Sequence, residues 1–166
     1  MVRIKRNNYI NSLKSIHNNG FAIIEILVIS SVVVIAFAGI MTFYSFSLKA
    51  TKQAEYQTKA LNLAIQNIEA VQAMREESWN NIANLTIGAN YHLIQAGEPI
   101  KWSLEQGMQT QEPFTQSIIF EKVYRDMDDD IISIGGTEDA SSKKVTTTIN
   151  WQNKNITLSA YLMNWK

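Results

Sequence analysis

The stretch Gly20-Phe21-Ala22-Ile23-Ile24-Glu25 opens an apolar run that continues without a charge through residues 26–48. As a helix those 23 residues measure roughly 34 Å, against a bilayer hydrocarbon core of about 30 Å. The run reads as a membrane-crossing helix with one carboxylate close to its start. A charged side chain costs roughly 2.5–3.5 kcal/mol at the centre of such a helix and less near the interface. Glu25 therefore calls for a specific role. Val32-Val33-Val34-Ile35 lowers helix propensity slightly, which matters little in lipid, where the backbone must satisfy its own hydrogen bonds. Gly39 is the one small breaker, and the run holds no proline.

On the N-terminal side, residues 1–20 carry Arg3, Lys5, Arg6 and Lys14 and no acid. Residues 21–166 then hold 11 basic and 15 acidic side chains, a net of −4. The basic end predicts a cytoplasmic N-terminus under the positive-inside rule. The acidic remainder argues against a nucleic-acid platform, which needs clustered Lys and Arg. Lys143 and Lys144 alone are too few. The chain has no cysteine, which excludes disulfides, thiolate metal sites and Cys nucleophiles.

Three readings of the segment compete. One is a plain signal anchor, which leaves Glu25 without a use. Another is a secretory signal peptide cut after the small-x-small sequence Ala36-Phe37-Ala38. Against it, Glu25 would lie inside the apolar region, and the run continues past the site through Ile40-Met41-Thr42-Phe43-Tyr44. The third rests on Gly20, Phe21 and Glu25 in their spacing, joined to the apolar run.

In that spacing the stretch from Gly20 to Lys49 resembles the N-terminal cleavage and methylation motif of type IV pilins and type II secretion pseudopilins. The resemblance implies that a prepilin peptidase cuts after Gly20 and that Phe21 is then N-methylated. It implies that Glu25 neutralises the Phe21 amine of a neighbouring subunit in a filament. The departures are Asn19 where Lys or Arg is common, Ala22 and Ile23 where Thr or Ser and then Leu are usual, and the absent proline. The implied partners are prepilin peptidase, other pilin subunits, an inner-membrane assembly platform with its ATPase, and membrane lipid. The implied place is the inner membrane with the leader cytoplasmic, followed by an extracellular or periplasmic filament. The expected function is a structural, minor subunit of a type IV pilus, not an enzyme. The alternatives are a secretion pseudopilin and a signal-anchored extracellular binding domain that does not polymerise.

Helical pattern continues beyond Lys49. No proline or glycine occurs over residues 49–79, and Leu61, Ala64, Ile65, Ile68, Val71 and Met74 recur in steps of three and four. Lys52, Glu55, Lys59, Asn62, Gln66 and Glu69 fall largely on other faces. One helix is expected from about Phe21 to about Ser78. Residues 61–79 are similar to the corresponding helix of minor pilins of the PilV or GspI type. After Asn80 the pattern becomes short alternating runs. Strands are expected at 91–95, 101–105 and 114–125, with a turn at Ala96-Gly97-Glu98-Pro99. Val145, Thr147, Ile149 and Trp151 alternate cleanly, Gln152-Asn153-Lys154-Asn155 turns, and Ile156, Leu158, Ala160 and Leu162 return. The expectation is an antiparallel sheet of roughly four strands with one face on the amphipathic helix. A region of 87 residues, 80–166, buries too little by itself and needs that helix as its second layer. The fold class is α+β, and the resemblance implies the pilin fold. Its parts are a leader (1–20), a transmembrane and filament-core helix (21–48), an amphipathic continuation (49–79) and a β-sheet domain (80–166).

Few residues suggest other chemistry. Asp126, Asp128, Asp129 and Asp130 crowd one loop and could offer oxygen ligands to calcium, although the spacing is not that of an EF-hand. A solvated acidic loop is the competing reading, and no cofactor is otherwise expected. His92 stands alone on a strand. No serine occupies a nucleophile-elbow motif, and Gly135-Gly136-Thr137 lacks the lysine of a phosphate loop. Asn84-Leu85-Thr86 and Asn155-Ile156-Thr157 match the glycosylation sequon, a short pattern that arises by chance. Trp79, Trp102, Trp151 and Trp165 are expected as core and hairpin anchors.

Overall fold

The computed structural model describes residues 18–133 and 135–165. Residues 1–17, which hold Arg3, Lys5, Arg6 and Lys14 of the expected leader, lie outside the described residues. Helix α1 runs Asn18–Glu77 and α2 runs Asn80–Ala83. The strands are β1 (Asn90–Ala96), β2 (Lys101–Gln106), β3 (Gln109–Gln111), β4 (Phe114–Arg125), β5 (Ile131–Ile132), β6 (Thr137–Trp151) and β7 (Lys154–Met163). The layout is a long N-terminal apolar helix followed by an antiparallel sheet, an α+β arrangement. The chain divides into two compact units at Lys52/Gln53.

In the first unit several hydroxyls bond back onto the helix itself. Ser30 and Ser31 Oγ each donate to the Leu27 carbonyl, at 3.0 and 2.7 Å, and Thr42 Oγ1 donates to the Ala38 carbonyl at 2.9 Å. Hydroxyls folded back onto the preceding turn suit a helix with no water beside it. Every side chain described from Ala22 to Lys52 is exposed.

In the second unit the sheet runs β2-β1-β4-β6-β7, with β3 and β5 adding short ladders to β4. Five strands on the main path and two short ones replace the roughly four expected. The α1 face that covers the sheet is Ala60, Ala64, Asn67, Ile68, Val71 and Met74, all buried. Leu61 and Ile65, expected in that stripe, are 43% and 39% exposed. The reason lies in what faces them. Ala60 and Ala64 meet the rings of Phe114 and Trp151, with Tyr56 edge-on to Phe114 at 6.1 Å between centroids. Bulky strand residues select the small helix residues, which turns the stripe by one position. Farther along, Ile68, Val71 and Met74 pack with Phe120, Ile118, Tyr91 and Leu162.

One polar group sits in this seam. Asn67 Nδ2 donates to Gln116 Oε1 at 3.2 Å and to Thr147 Oγ1 at 3.0 Å, tying the helix to β4 and β6. The last turn of α1 is closed by Asn81, whose Nδ2 donates to the Met74 carbonyl at 2.9 Å. The Met74 carbonyl also accepts from the Ser78 N–H at 3.1 Å, so the Asn81 amide is its second donor.

Strand β6 begins eight residues before the apolar alternation does. Its first part is polar and pairs with the end of β4, Arg125 opposite Thr137 and Tyr124 opposite Glu138. Ion pairs hold it there, Lys122–Glu138 at 2.7 Å and Arg125–Asp139 at 2.8 Å. The β6–β7 turn is tighter than the four residues expected. Trp151 pairs with Lys154, leaving Gln152 and Asn153 at φ 43 and 63. Two successive positive φ values are those of a type I′ hairpin, whose twist matches its strands.

Asn67→Ala is expected to leave the Gln116 and Thr147 groups unsatisfied in a closed seam, at a cost of about 1–3 kcal/mol. Thermal unfolding of the detergent-solubilised full chain checks this. An unchanged midpoint would show that the network contributes nothing.

Candidate functional site

The apolar half of α1 is long and apolar enough to cross a membrane, and none of its described side chains is buried. A helix of this kind near the N-terminus serves as a membrane anchor or a signal sequence. Phe43 is 73% exposed, Ile35 71% and Phe46 70%, so the described residues supply no cover for it.

Gly20 and Phe21 both lie on the α1 backbone, and Glu25 follows Phe21 by four residues. Positions four apart share one helix face, separated by roughly 6 Å along the axis. Glu25 is exposed and has no hydrogen bond or ion pair among the described residues. A chain cut after Gly20 would begin with an amine at the first helical residue. The four free N–H groups of that end and the helix dipole both favour a nearby carboxylate. The geometry thus presents an unpartnered acid one turn from the candidate cleavage point.

The acidic loop is organised differently from a cation cage. Asp126 Oδ1 accepts from the backbone N–H of Asp128 and of Asp130, each at 3.0 Å. The Asp126 N–H donates to the Asp130 carbonyl at 3.0 Å, and Asp129 sits at φ 67. Arg125 Nη1 donates to the Asp129 carbonyl at 2.7 Å. The four carboxylates are spread around a tight β4–β5 turn that one of them caps. Among the described residues no three acidic or histidine side chains converge on a point that could hold a metal ion.

The electrostatic centre of that end is Asp139, which the sequence reading did not single out. Asp139 accepts from Ser142 Oγ at 2.6 Å, Arg125 Nε at 2.8 Å and the Ser141 N–H at 2.9 Å. Donation from Ser142, then from Arg125, holds its carboxyl well below the usual carboxylate range. Gly136 lets the strands meet there. It sits at φ 76, and a Cβ would lie 2.3 Å from the Arg125 carbonyl oxygen. The signal that could have found Asp139 is the Asp-x-x-Ser spacing opposite an arginine, legible only once β4 and β6 are paired.

A second feature is a groove of ≈ 460 Å³ on the outer face of the sheet, walled by Ile87, Ile132, Tyr124 and Tyr161. Its floor carries the Glu121–Lys144 ion pair at 2.8 Å. The hydrogen bond from Lys144 holds Glu121 below its ordinary value, and the same bond holds Lys144 above its own. His92 is half-buried, with Nδ1 at 3.4 Å from the Gly107 carbonyl and Nε2 at 3.7 Å from Glu105. It braces the β1–β2 hairpin. Of the tryptophans, Trp151 is buried and Trp79 and Trp102 are half-buried. Trp165 is 69% exposed and lies 4.2 Å from the Arg75 guanidinium, so it is not the core anchor expected.

Asp139 has a lowered folded pKa, so its stabilisation is fully present above the unfolded carboxylate value of about 3.9 and is lost as pH falls through the folded value. The stability of the full chain is therefore expected to fall below about pH 4. Asp139→Asn should flatten that limb, and a limb of unchanged slope would remove Asp139 from the account. Comparisons with protein-family models, with curated proteins and with solved structures find no match, so the reading of this site rests on its own residues.

Proposed function

We propose that this chain is a non-enzymatic structural subunit, of minor-pilin type, in a type IV pilus or related filament. The observation that carries the reading is an apolar helix segment, uncovered among the described residues, whose acid Glu25 has no partner among those residues and stands one turn from Phe21. In this reading a prepilin peptidase cuts after Gly20 and Phe21 is N-methylated. The sheet domain, arranged as a pilin fold, faces away from the cytoplasm, as the basic leader requires. An assembly platform and its ATPase then move the helix from lipid into a bundle of like helices. Glu25 of one subunit pairs with the Phe21 amine of a neighbour. Two charges in an apolar bundle are tolerated when paired, and removing one partner costs about 3–5 kcal/mol. The pairing therefore serves as a registration check. The reading does not require a bound metal.

A secretion pseudopilin would use the same residues in a shorter filament. A plain anchor needs only the apolar helix and leaves Glu25 idle, which gives the test its edge. In lipid Glu25→Leu removes a charge and eases insertion. In a filament it strands the amine. The chain with Glu25→Leu is expected to reach the membrane at normal level while its amount in sheared surface fractions falls roughly a hundredfold or more, following that 3–5 kcal/mol. Equal amounts in the sheared fraction would contradict the pairing, and absence of the unaltered chain from that fraction would contradict the filament.

A further inference from the structure

The two strands that bound the sheet are not alike. Strand β2 has six residues and carries charge near each end, Lys101 paired with Glu77 and Glu105 beside His92. Strand β7 has ten residues and pairs with β6 at ten consecutive positions without a register shift. From Asn155 to Met163 it holds no charge and no proline. Natural sheets guard open edges with short strands, charges, prolines or bulges, because unpaired N–H and C=O groups invite another strand. Beyond its first residue, Lys154, β7 has none of these devices.

Strand direction says which strand fits. Each neighbour along β2-β1-β4-β6-β7 is antiparallel, so β2 and β7, first and fifth, point the same way. A second copy set beside the first in the same orientation would present its β2 to β7 as a parallel ladder. The apolar rows also match. Trp102 and Leu104 of β2 and Leu158 and Ala160 of β7 all pack against the core under α1. Joining the sheets would extend one continuous layer. An antiparallel pairing of β7 with β7 would instead reverse, between the two copies, the part of α1 that covers the sheet. We propose that β7 of one copy binds the β2 edge of the next, and that this contact links the sheet domains side by side. It rests on the reading that α1 inserts every copy in the same sense. Because the two edges differ, the contact does not close on itself and can propagate.

The chain's lack of cysteine makes disulfide trapping a clean test. Ser103→Cys in β2 is combined in turn with Thr157→Cys, Ser159→Cys or Tyr161→Cys in β7 of the full chain, and membranes are oxidised in intact cells. Within one copy these edges are four strand spacings apart, roughly 19 Å, too far for a disulfide, which needs Cα atoms within about 7 Å. The expected result is a ladder of reducible multimers from at least one pair, with each single variant at background. Adding Ser159→Lys, on the exposed face of β7, to the Thr157 or Tyr161 pair should abolish the ladder while leaving the monomer in the membrane. Monomer alone from all three pairs would overturn the proposal, as would dimers from a single β7 cysteine. The readout is scored in the membrane and needs no filament. Loss of surface filaments with the ladder intact would count against the filament reading alone.

Discussion

An apolar helix that the described residues leave bare must find cover elsewhere, and the proposed function follows from that demand. Seventeen large apolar side chains between Ile23 and Leu48 are exposed. Burying a side chain of this kind is worth roughly 1.5–3 kcal/mol, so together they amount to some tens of kcal/mol, several times the 5–15 kcal/mol net stability of a typical domain. Water is not a tenable surrounding. Lipid and a bundle of like helices are the two environments that satisfy both the side chains and the backbone. The proposed function is a passage from the first to the second, and Glu25 is the group that distinguishes them. In lipid it is a liability. Beside a neighbour's amine it is half of an ion pair.

The second unit solves a different problem. A sheet of this size cannot bury both faces, and it takes the amphipathic end of α1 as its cover. The fit is made by size. Ala60 and Ala64 give way to Phe114 and Trp151, while Ile68, Val71 and Met74 fill the space over Phe120 and Ile118. Asn67 fixes the rotational setting, since its amide reaches Gln116 and Thr147 from that one position. At the far end Arg125 and Asp139 knit β4, β5 and β6 where apolar contacts run out. Packing sets the middle of the domain, and paired charges set its end.

How much of this was legible depended on whether the signal was local. The span of α1 and the alternation of β6 from Val145 to Trp151 stand in the sequence, because hydrophobic period is read residue by residue. The face of the helix did not, because Leu61 and Ala60 are equally plausible until the rings opposite are known. The polar start of β6 was missed for a similar reason. It owes its pairing to Arg125 and Lys122, which are distant in sequence and give no periodic sign. In the Asp126 loop a run of acids stands in the sequence, while the backbone N–H groups that Asp126 accepts are visible only in the fold. At the candidate site, Gly20, Phe21 and Glu25 were found through spacing and resemblance, and the structure adds the bareness of the helix that carries them.

The central claim is that the chain is cut after Gly20 to free an amine opposite Glu25. The intact mass of the chain isolated from membrane and sheared fractions tests it most directly. The account predicts a species spanning residues 21–166 with one added methyl group on Phe21. A mass that includes residues 1–20 in cells with active prepilin peptidase would contradict it and leave a membrane-anchored domain. A species beginning at Gly39 would contradict it equally, in favour of a secreted one.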